Sequence, residues 1–233
     1  MKNFPFEVME QDNKFWNKNL FNLFKSEIVF QTKQSSEHGE EGIIKSIFSA
    51  IKPENRWCID VGAYGIGNSN TYGLIKEGWK SIQFEINARQ VAEHRAVLYD
   101  LKDVFVEFKY ITSGRLGHLI EPDCLDATLL SHSVPYNFDY LSIDVDSVEY
   151  EIWRNLKLFH PNVICIEFNS FEHDFSVIGY DPSFSIHEIY GNKGEYGGAT
   201  IGLLNRLAQD KGYTYVCLDV SNVFFIKNSF AKI

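Results

Sequence analysis

Apolar runs of strand length alternate with helix-length segments from residue 57 to the end of the chain, and this alternation restricts the folds available to it. The pattern predicts strands at 57–61, 81–85, 104–111, 140–145, 163–168, 213–219 and 223–227. It predicts helices at 69–77, 88–98, 150–158 and 200–211. Strands joined through helices run parallel, and a parallel sheet needs helices on both faces. The last two strands are joined by a short turn and must be antiparallel. The prediction is an α/β fold with a seven-stranded, mostly parallel sheet and an antiparallel last strand.

The segment before this alternation has a different pattern. Apolar residues recur at helical intervals between residues 15 and 28, and "EEGIIKSIFSAI" predicts a second amphipathic helix at 40–51. We interpret residues 1–34 as a helical cap that packs on one large domain, residues 35–233.

Charge and composition exclude several classes of partner. The 233 residues carry a formal net charge of −9, which disfavours a general nucleic-acid binder and an anionic membrane surface. No apolar run approaches the roughly 20 residues of a membrane span, and the first residues lack the pattern of a signal peptide. The four cysteines have no C-x-x-C spacing and three lie in apolar runs, which indicates buried reduced thiols. We therefore expect a cytoplasmic protein.

An acid and a group of glycines follow the first predicted strand in "CIDVGAYGIGNSNTYG". Ligands of open α/β sheets bind beyond the carboxyl ends of the strands, and Asp60 stands at such an end. The glycine spacing fits neither the dinucleotide fingerprint nor the P-loop, which also needs a lysine. An acid here suits an ammonium group, and Glu85, at the end of the next strand, can accept both hydroxyls of a ribose. S-adenosylmethionine has both groups and no phosphate. The alternatives are a tight turn without a ligand and, for Glu85, a solvated strand end.

Four blocks of the sequence resemble FkbM-like methyltransferases: "SEHGEEGII", "IDVGAYGIGNSNTYGLIKEGWKSIQFE", "DYLSIDVDSVEYEIW" and "YGGATIGLLNRLAQDKGYTYVCLDVSNVFFI". The resemblance implies a Rossmann-like class I methyltransferase fold, S-adenosylmethionine as donor, and methylation of hydroxyl oxygens on sugars or polysaccharides. It also implies donor-binding residues: Gly62, Tyr64 and Ser69 would line the methionine end, Asp60 would lie near it, and Glu85 would hold the ribose. Ala63 and Asp144 complete the predicted donor site. Thr112 and Ser113, after the third predicted strand, stand where an adenine would lie, and the alternative for them is an ordinary turn. "IDVDS" departs from the usual acid followed by glycine.

The ends of the fourth and fifth predicted strands are rich in side-chain oxygens. "LSIDVDS" places Asp144 and Asp146 there, and "CIEFNS" places Glu167 and Asn169. Mg²⁺ and Ca²⁺ prefer such ligands, so Asp144, Glu167 and Asn169 form a candidate metal site, with Mg²⁺ as a second cofactor. In the alternative, Asp144 holds the donor's amino group, while Glu167 and Asn169 cap loops or bind acceptor hydroxyls.

Methyl transfer to oxygen needs a base and an aligned acceptor. The candidate bases are His38, His173, Asp144 and Glu167. The alternatives are N-terminal capping for His38 and a solvated loop position for His173. The aromatic-rich run 171–198 either closes over the acceptor or covers a sheet edge.

Three functions are compatible with these observations. The first is an S-adenosylmethionine-dependent O-methyltransferase acting on a hydroxyl of a sugar, glycan or related small metabolite. The second is a divalent-metal-assisted methyltransferase acting on a phosphorus oxyacid or diol. The third is a non-catalytic scaffold with the same fold. The expected partner is a small-molecule or glycan acceptor, with no nucleic acid, and the sequence leaves room for a homo-oligomer.

Overall fold

The computed structural model describes residues 7–11, 14–24, 36–113, 115–116, 119–170, 173–181 and 198–231. Its strands are β1 (Val8–Gln11), β2 (Lys14–Asn17), β3 (Trp57–Val61), β4 (Lys80–Glu85), β5 (Val104–Phe108), β6 (Arg115–Leu116), β7 (Leu119–Ile120), β8 (Tyr140–Ile143), β9 (Val163–Glu167), β10 (Tyr180–Asp181), β11 (Gly198–Ala199), β12 (Tyr213–Leu218) and β13 (Asn222–Lys227). Its helices are α1 (Lys18–Phe24), α2 (Glu40–Ile51), α3 (Tyr72–Lys76), α4 (Ala88–Leu98), α5 (Leu125–Leu130), α6 (Glu149–Asn155) and α7 (Ile201–Asp210).

Nine of these strands form one sheet in the order β1-β2-β12-β13-β9-β8-β3-β4-β5. The five strands from β9 to β5 in this order pair in parallel. β13 is antiparallel to both of its neighbours, which confirms the antiparallel last strand. The chain builds outward from β3 to β5 and then returns to the other side of β3 with β8. The carboxyl ends of β3 and β8 therefore flank a topological switch point, where ligands of open α/β sheets bind.

Helices cover both faces of the sheet, as the sequence predicts. One apolar cluster joins α2 and α3 to the face that carries Cys58 and Cys165. A second cluster joins α5, α6 and α7 to the opposite face, around Trp153 and Phe225. Strand residues alternate between the two clusters because successive side chains of a strand point to opposite faces.

The N-terminal segment differs from the purely helical cap that the sequence predicts. Residues 14–17 form a strand, and helix α1 begins only at residue 18. β2 pairs with β12, and Trp16, opposite Cys217, is fully buried. The prediction of a seven-stranded sheet is therefore wrong, because the hairpin of β1 and β2 extends it. The proposed domain boundary at residues 34 and 35 falls at the edge of a segment outside the described residues.

Other predictions are met in part. All four cysteines are free and buried. Phe175, from the aromatic-rich run, packs in the core against Tyr215, and residues 182–197 of that run lie outside the described residues. The longest described helix has 12 residues, and among the residues that the structure describes none is both long and apolar enough to cross a bilayer.

Candidate functional site

The glycine loop, residues 62–68, leaves β3 at the switch point. The N–H groups of Gly62 and Ala63 both donate to the carbonyl of Phe84 at 3.0 Å, which fixes the start of the loop against β4. Gly62 has φ +88°, and a Cβ there would overlap the carbonyl oxygen of Asp144. Glycine is therefore required by the backbone conformation and by the approach of the end of β8.

Asp60 lies beneath this loop rather than open to the crevice. Its carboxylate is 2% exposed and accepts hydrogen bonds from Thr71 Oγ1 at 2.7 Å and Ser69 Oγ at 3.2 Å. Burial raises the pKa of Asp60 to about 6, although these hydroxyls oppose the rise. The hydroxyl of Ser69 also accepts the N–H groups of Thr71 and Tyr72 at the start of α3. A contact of Asp60 or Ser69 with a donor stays a prediction.

Glu85 ends β4 next to the glycine loop. One carboxylate oxygen accepts the N–H groups of Ile86 at 2.8 Å and Asn87 at 2.6 Å, so the side chain is held at the strand tip. Burial raises the pKa of Glu85, while hydrogen bonds from the backbone of Asn87, Ile86 and Tyr64 oppose the rise. A carboxylate fixed in this way can accept hydroxyl donors from a ligand without first being ordered.

Thr112 and Ser113 follow β5, the next strand outward. The hydroxyl oxygen of Thr112 is buried and has no hydrogen-bond partner within the described residues. The carbonyl of Ser113 accepts the side-chain amide of Asn155 at 2.6 Å. A buried unpartnered hydroxyl costs stability unless a ligand or water satisfies it, so Thr112 is a fitting position for a polar ligand atom.

Three acidic side chains, Asp144, Asp146 and Glu167, meet at the tips of β8 and β9 and are called here the carboxylate cluster. One carboxylate oxygen from each lies within 4.8 Å of the others. Burial, followed by repulsion from neighbouring carboxylates, raises the pKa of Asp144 and Glu167 well above their usual range. A divalent cation would relieve both effects, and carboxylate oxygens are the ligands that Mg²⁺ and Ca²⁺ prefer. The donor set therefore fits such an ion.

Glu149 is a neighbour of this cluster that sequence reasoning missed. One of its carboxylate oxygens accepts the N–H groups of Val145 at 2.9 Å and Ser147 at 2.8 Å. It is 2% exposed, and burial raises its pKa to about 7. The available signal was its position at the start of the helix that follows Asp146, where free N–H groups and the helix dipole stabilise an acid.

The remaining predicted site residues lie nearby in the fold. The backbone N–H of His38 donates to Glu40 at 2.9 Å, just before α2, and a capping role of the His38 side chain stays a prediction. The ring of His173 contacts Phe168 edge-on, at a centroid distance of 5.5 Å, next to Glu167 in the chain. Asn169 is buried, and its N–H donates to the carbonyl of Ala199. A role in catalysis or metal binding stays a prediction for each.

A shallow pocket of about 680 Å³ lies beside the glycine loop. It is lined by the loop together with Tyr72, Gln90, Glu93, Ala96 and Val97. Asp60, Glu85 and the carboxylate cluster are not among its lining residues, although Tyr64 is. The pocket and the acidic residues at the strand tips therefore have different lining residues.

Several known structures with a similar fold are methyltransferases by name, and others were solved with SAH or AdoHcy bound. The N-terminal domain of EvdMO1, solved with SAH bound, has a TM-score of 0.51 at 11% identity, over 82% of this chain and 82% of that one. The chain has the class I methyltransferase fold.

Two further structures are less similar. The CurJ carbon methyltransferase has a TM-score of 0.48 at 12% identity, over 80% of this chain and 52% of that one. PKMT2 from Rickettsia typhi, in complex with AdoHcy, has a TM-score of 0.45 at 12% identity, over 76% and 50%. This chain thus spans about half the length of both proteins. The sequence matches no family model, and a comparison with curated protein sequences finds no match.

The fold places the candidate site residues at the carboxyl ends of neighbouring strands. It brings the glycine loop to the tip of β3 and Glu85 to the tip of β4, and it places Asp144 and Glu167 at the tips of β8 and β9. The likeness to solved structures concerns the fold alone, so membership of the FkbM-like family stays a prediction.

Proposed function

We propose that this protein is an S-adenosylmethionine-dependent O-methyltransferase that acts on a hydroxyl of a sugar, glycan or related small metabolite. The observation that carries the proposal is the carboxylate of Glu85, held by two backbone N–H groups at the strand tip beside the glycine loop of a class I methyltransferase fold. The glycan acceptor, cytoplasmic location and homo-oligomer remain predictions from the sequence.

The donor residues divide by the part of the ligand that each would hold. Glu85 would accept the ribose hydroxyls, and Thr112 and Ser113 would line the adenine, where the unpartnered hydroxyl of Thr112 supports this assignment. The glycine loop would lie along the methionine end. Asp144, at the tip of β8, would face the donor's amino group, because an ammonium relieves the repulsion among its carboxylate neighbours.

For methyl transfer to a hydroxyl, the protein has two tasks, which are to align the acceptor and to remove its proton. Bound S-adenosylmethionine supplies a methyl group on a sulfonium, whose departure as a neutral thioether needs no acid. The protein must orient the acceptor oxygen in line with that methyl and take the hydroxyl proton. The candidate bases are Asp144, His173 and His38, of which Asp144 lies at the switch point itself.

Calorimetric titration with S-adenosylhomocysteine tests the donor assignment. Glu85→Gln keeps a hydrogen-bond acceptor but removes the charge, and we expect it to weaken binding at least about tenfold. Glu77→Gln is the matched control, because Glu77 is exposed and its carboxylate pairs with Lys45 at 3.5 Å on the surface. Equal affinity in the wild type and Glu85→Gln would remove the ribose assignment. A wild-type protein that does not bind S-adenosylhomocysteine would instead favour the non-catalytic scaffold with the same fold.

A metal-assisted transfer is the second candidate, and the carboxylate cluster favours it. Asp144, Asp146 and Glu167 would hold Mg²⁺, which lowers the pKa of a coordinated hydroxyl. The acceptor would then be a diol or phosphorus oxyacid that can bind the ion.

Asp146→Asn is the sharpest variant for this candidate, because Asp146 is exposed and its φ of +62° suits asparagine. We expect Mn²⁺ binding, followed by electron paramagnetic resonance, to weaken at least about tenfold in this variant. The control is Asp103→Asn, which removes an exposed acid elsewhere. Wild-type protein that leaves Mn²⁺ free at millimolar concentration would contradict the candidate.

A further inference from the structure

Five buried polar side chains form a connected ladder beneath the glycine loop. They come from β3, from β4 and from the segment that returns the loop to α3: Asp60, Ser69, Thr71, Ser81 and Gln83. Each is at most 2% exposed. Burying polar side chains lowers stability unless each one has hydrogen-bond partners, whereas a satisfied network holds its elements in one conformation. The question is which element this network holds.

The ladder links Gln83 to Asp60 through the Thr71 hydroxyl, whose oxygen lies 3.0 Å from Nε2 and 3.1 Å from Oε1 of Gln83. Gln83 Nε2 donates to Ser81 Oγ at 2.6 Å and to Thr71 Oγ1 at 3.0 Å. Thr71 Oγ1 donates in turn to the carboxylate of Asp60 at 2.7 Å. Ser69 donates to the same carboxylate at 3.2 Å. The carboxylate of Asp60 thus accepts from both hydroxyls, and Gln83 contacts the Thr71 hydroxyl from the β4 side.

The ladder fixes the end of the glycine loop. The start is fixed by the backbone, through the bonds of Gly62 and Ala63 to Phe84. The far side of the loop is fixed through residues 69–71, which follow it directly. Ser69 and Thr71 bond to the carboxylate of Asp60 on β3, and Thr71 also bonds to Gln83 on β4. Thr71, Ser81 and Gln83 are fully buried. These three side chains therefore act on a ligand through the position of the loop.

We propose that Thr71 and Gln83 are positioning residues, which hold the glycine loop in the conformation that receives the methionine end of the donor. This inference rests on the proposed function. Without the Thr71 hydroxyl, the carboxylate of Asp60 loses its shorter hydrogen bond, and residues 69–71 are then held to it by the longer bond from Ser69. We expect this end of the loop to shift. Glu85 is held by the N–H groups of Ile86 and Asn87, outside this segment, so we expect the ribose contact to be kept.

Two ligands distinguish binding of the methionine end of the donor from binding of its nucleoside. S-adenosylhomocysteine carries both parts, whereas 5′-methylthioadenosine lacks the amino-acid part. For Thr71→Val, which keeps the shape and removes the hydroxyl, we expect S-adenosylhomocysteine to bind at least about tenfold more weakly. We expect affinity for 5′-methylthioadenosine to stay within about twofold of wild type. Thr71→Ser restores the hydroxyl and should recover most of the lost affinity.

Thr128→Val is the matched control, since Thr128 is another buried threonine and its hydroxyl has no hydrogen-bond partner within the described residues. It should leave both affinities unchanged. Gln83→Met provides a second variant if Thr71→Val fails to fold by circular dichroism, and it should show the same ligand selectivity. Unchanged S-adenosylhomocysteine affinity in a folded ladder variant, or an equal loss for both ligands, would overturn the inference while leaving the proposed function intact. Wild-type protein that binds neither ligand would overturn both.

Discussion

Gly62 shows how one residue sets the geometry of the candidate site. The sequence indicated that the glycines of this loop serve a sharp turn or the approach of a ligand. The φ of +88° at Gly62 agrees with a turn, and the structure adds a reason that the sequence did not show, since the Cβ position is taken by the carbonyl of Asp144. Glu85 shows the opposite case, because a lone acid at a strand end was enough to predict its place. A close approach between two backbones far apart in sequence leaves no local signal, whereas a strand end does.

Gly62→Ala should therefore be strongly destabilising. The left-handed backbone and the overlap with Asp144 together should cost about 3 kcal/mol or more of unfolding free energy. Gly78→Ala is the control, since Gly78 has φ +84° but open space around its Cβ position, and should cost only about 1–2 kcal/mol. Urea denaturation of both variants measures the difference. Equal losses in the two variants would show that the approach to Asp144 carries no cost.

At the scale of elements, local signals predicted some boundaries and missed others. Helix α4 has the predicted bounds, because Asn87 caps it by accepting the N–H groups of Arg89 and Gln90. β2 was taken for part of a helix, because its apolar residues also fit helical spacing. β2 pairs with β12, and the side chain of Asn17 donates to the carbonyl of Tyr215, 198 residues later in the chain. A short window of sequence cannot contain such a tertiary contact. α5 was missed because six residues are too few for a clear period.

The N-terminal hairpin should contribute to the stability of the sheet and not act as a removable addition. Trp16 is fully buried and its ring packs edge-on against Phe21 at 5.6 Å. Trp16→Ala should lower the unfolding free energy by about 3–5 kcal/mol in thermal or urea denaturation. Tyr99→Ala, at an 84% exposed position, should change it by less than about 0.5 kcal/mol. A Trp16→Ala variant as stable as this control would mean that the hairpin is dispensable.

At the scale of the whole molecule, the strand order around β3 gathers acids from separate parts of the chain. Four of these acids are up to 107 positions apart in the sequence: Asp60, Asp144, Glu149 and Glu167. Burial raises the pKa of each, and the charge of another acid raises it further. The sequence predicted that strand tips would meet, since that follows from a parallel sheet. Which acids would be buried, and how deeply, depends on packing that only the assembled fold shows.

These buried acids should give the protein an unusual dependence of stability on pH. Asp60 and Glu149 titrate near pH 6 and 7 when folded, above the roughly 4 of an unfolded acid. The folded state therefore holds protons that the unfolded state has released between about pH 4 and 7, and the free energy of unfolding should fall as pH rises through this window.

Urea denaturation between pH 5 and 8 measures this slope. Glu149→Gln keeps an acceptor oxygen and removes the titrating carboxylate, so the free energy of unfolding should fall less between pH 5 and 8 than in the wild type, by on the order of 2–3 kcal/mol. Glu93→Gln, at an exposed ion pair with Arg89, should leave the profile unchanged. A free energy of unfolding that rises from pH 5 to pH 7 would contradict the assigned environments.

A crystal structure of the protein with S-adenosylhomocysteine tests the central claim most directly. The account predicts the ligand at the tips of β3 and β4, with both ribose hydroxyls on the carboxylate of Glu85 and the amino-acid part along the glycine loop. A ligand that occupies another surface, or a crevice that stays closed to it at saturating concentration, would contradict the assignment of this site to methyl transfer.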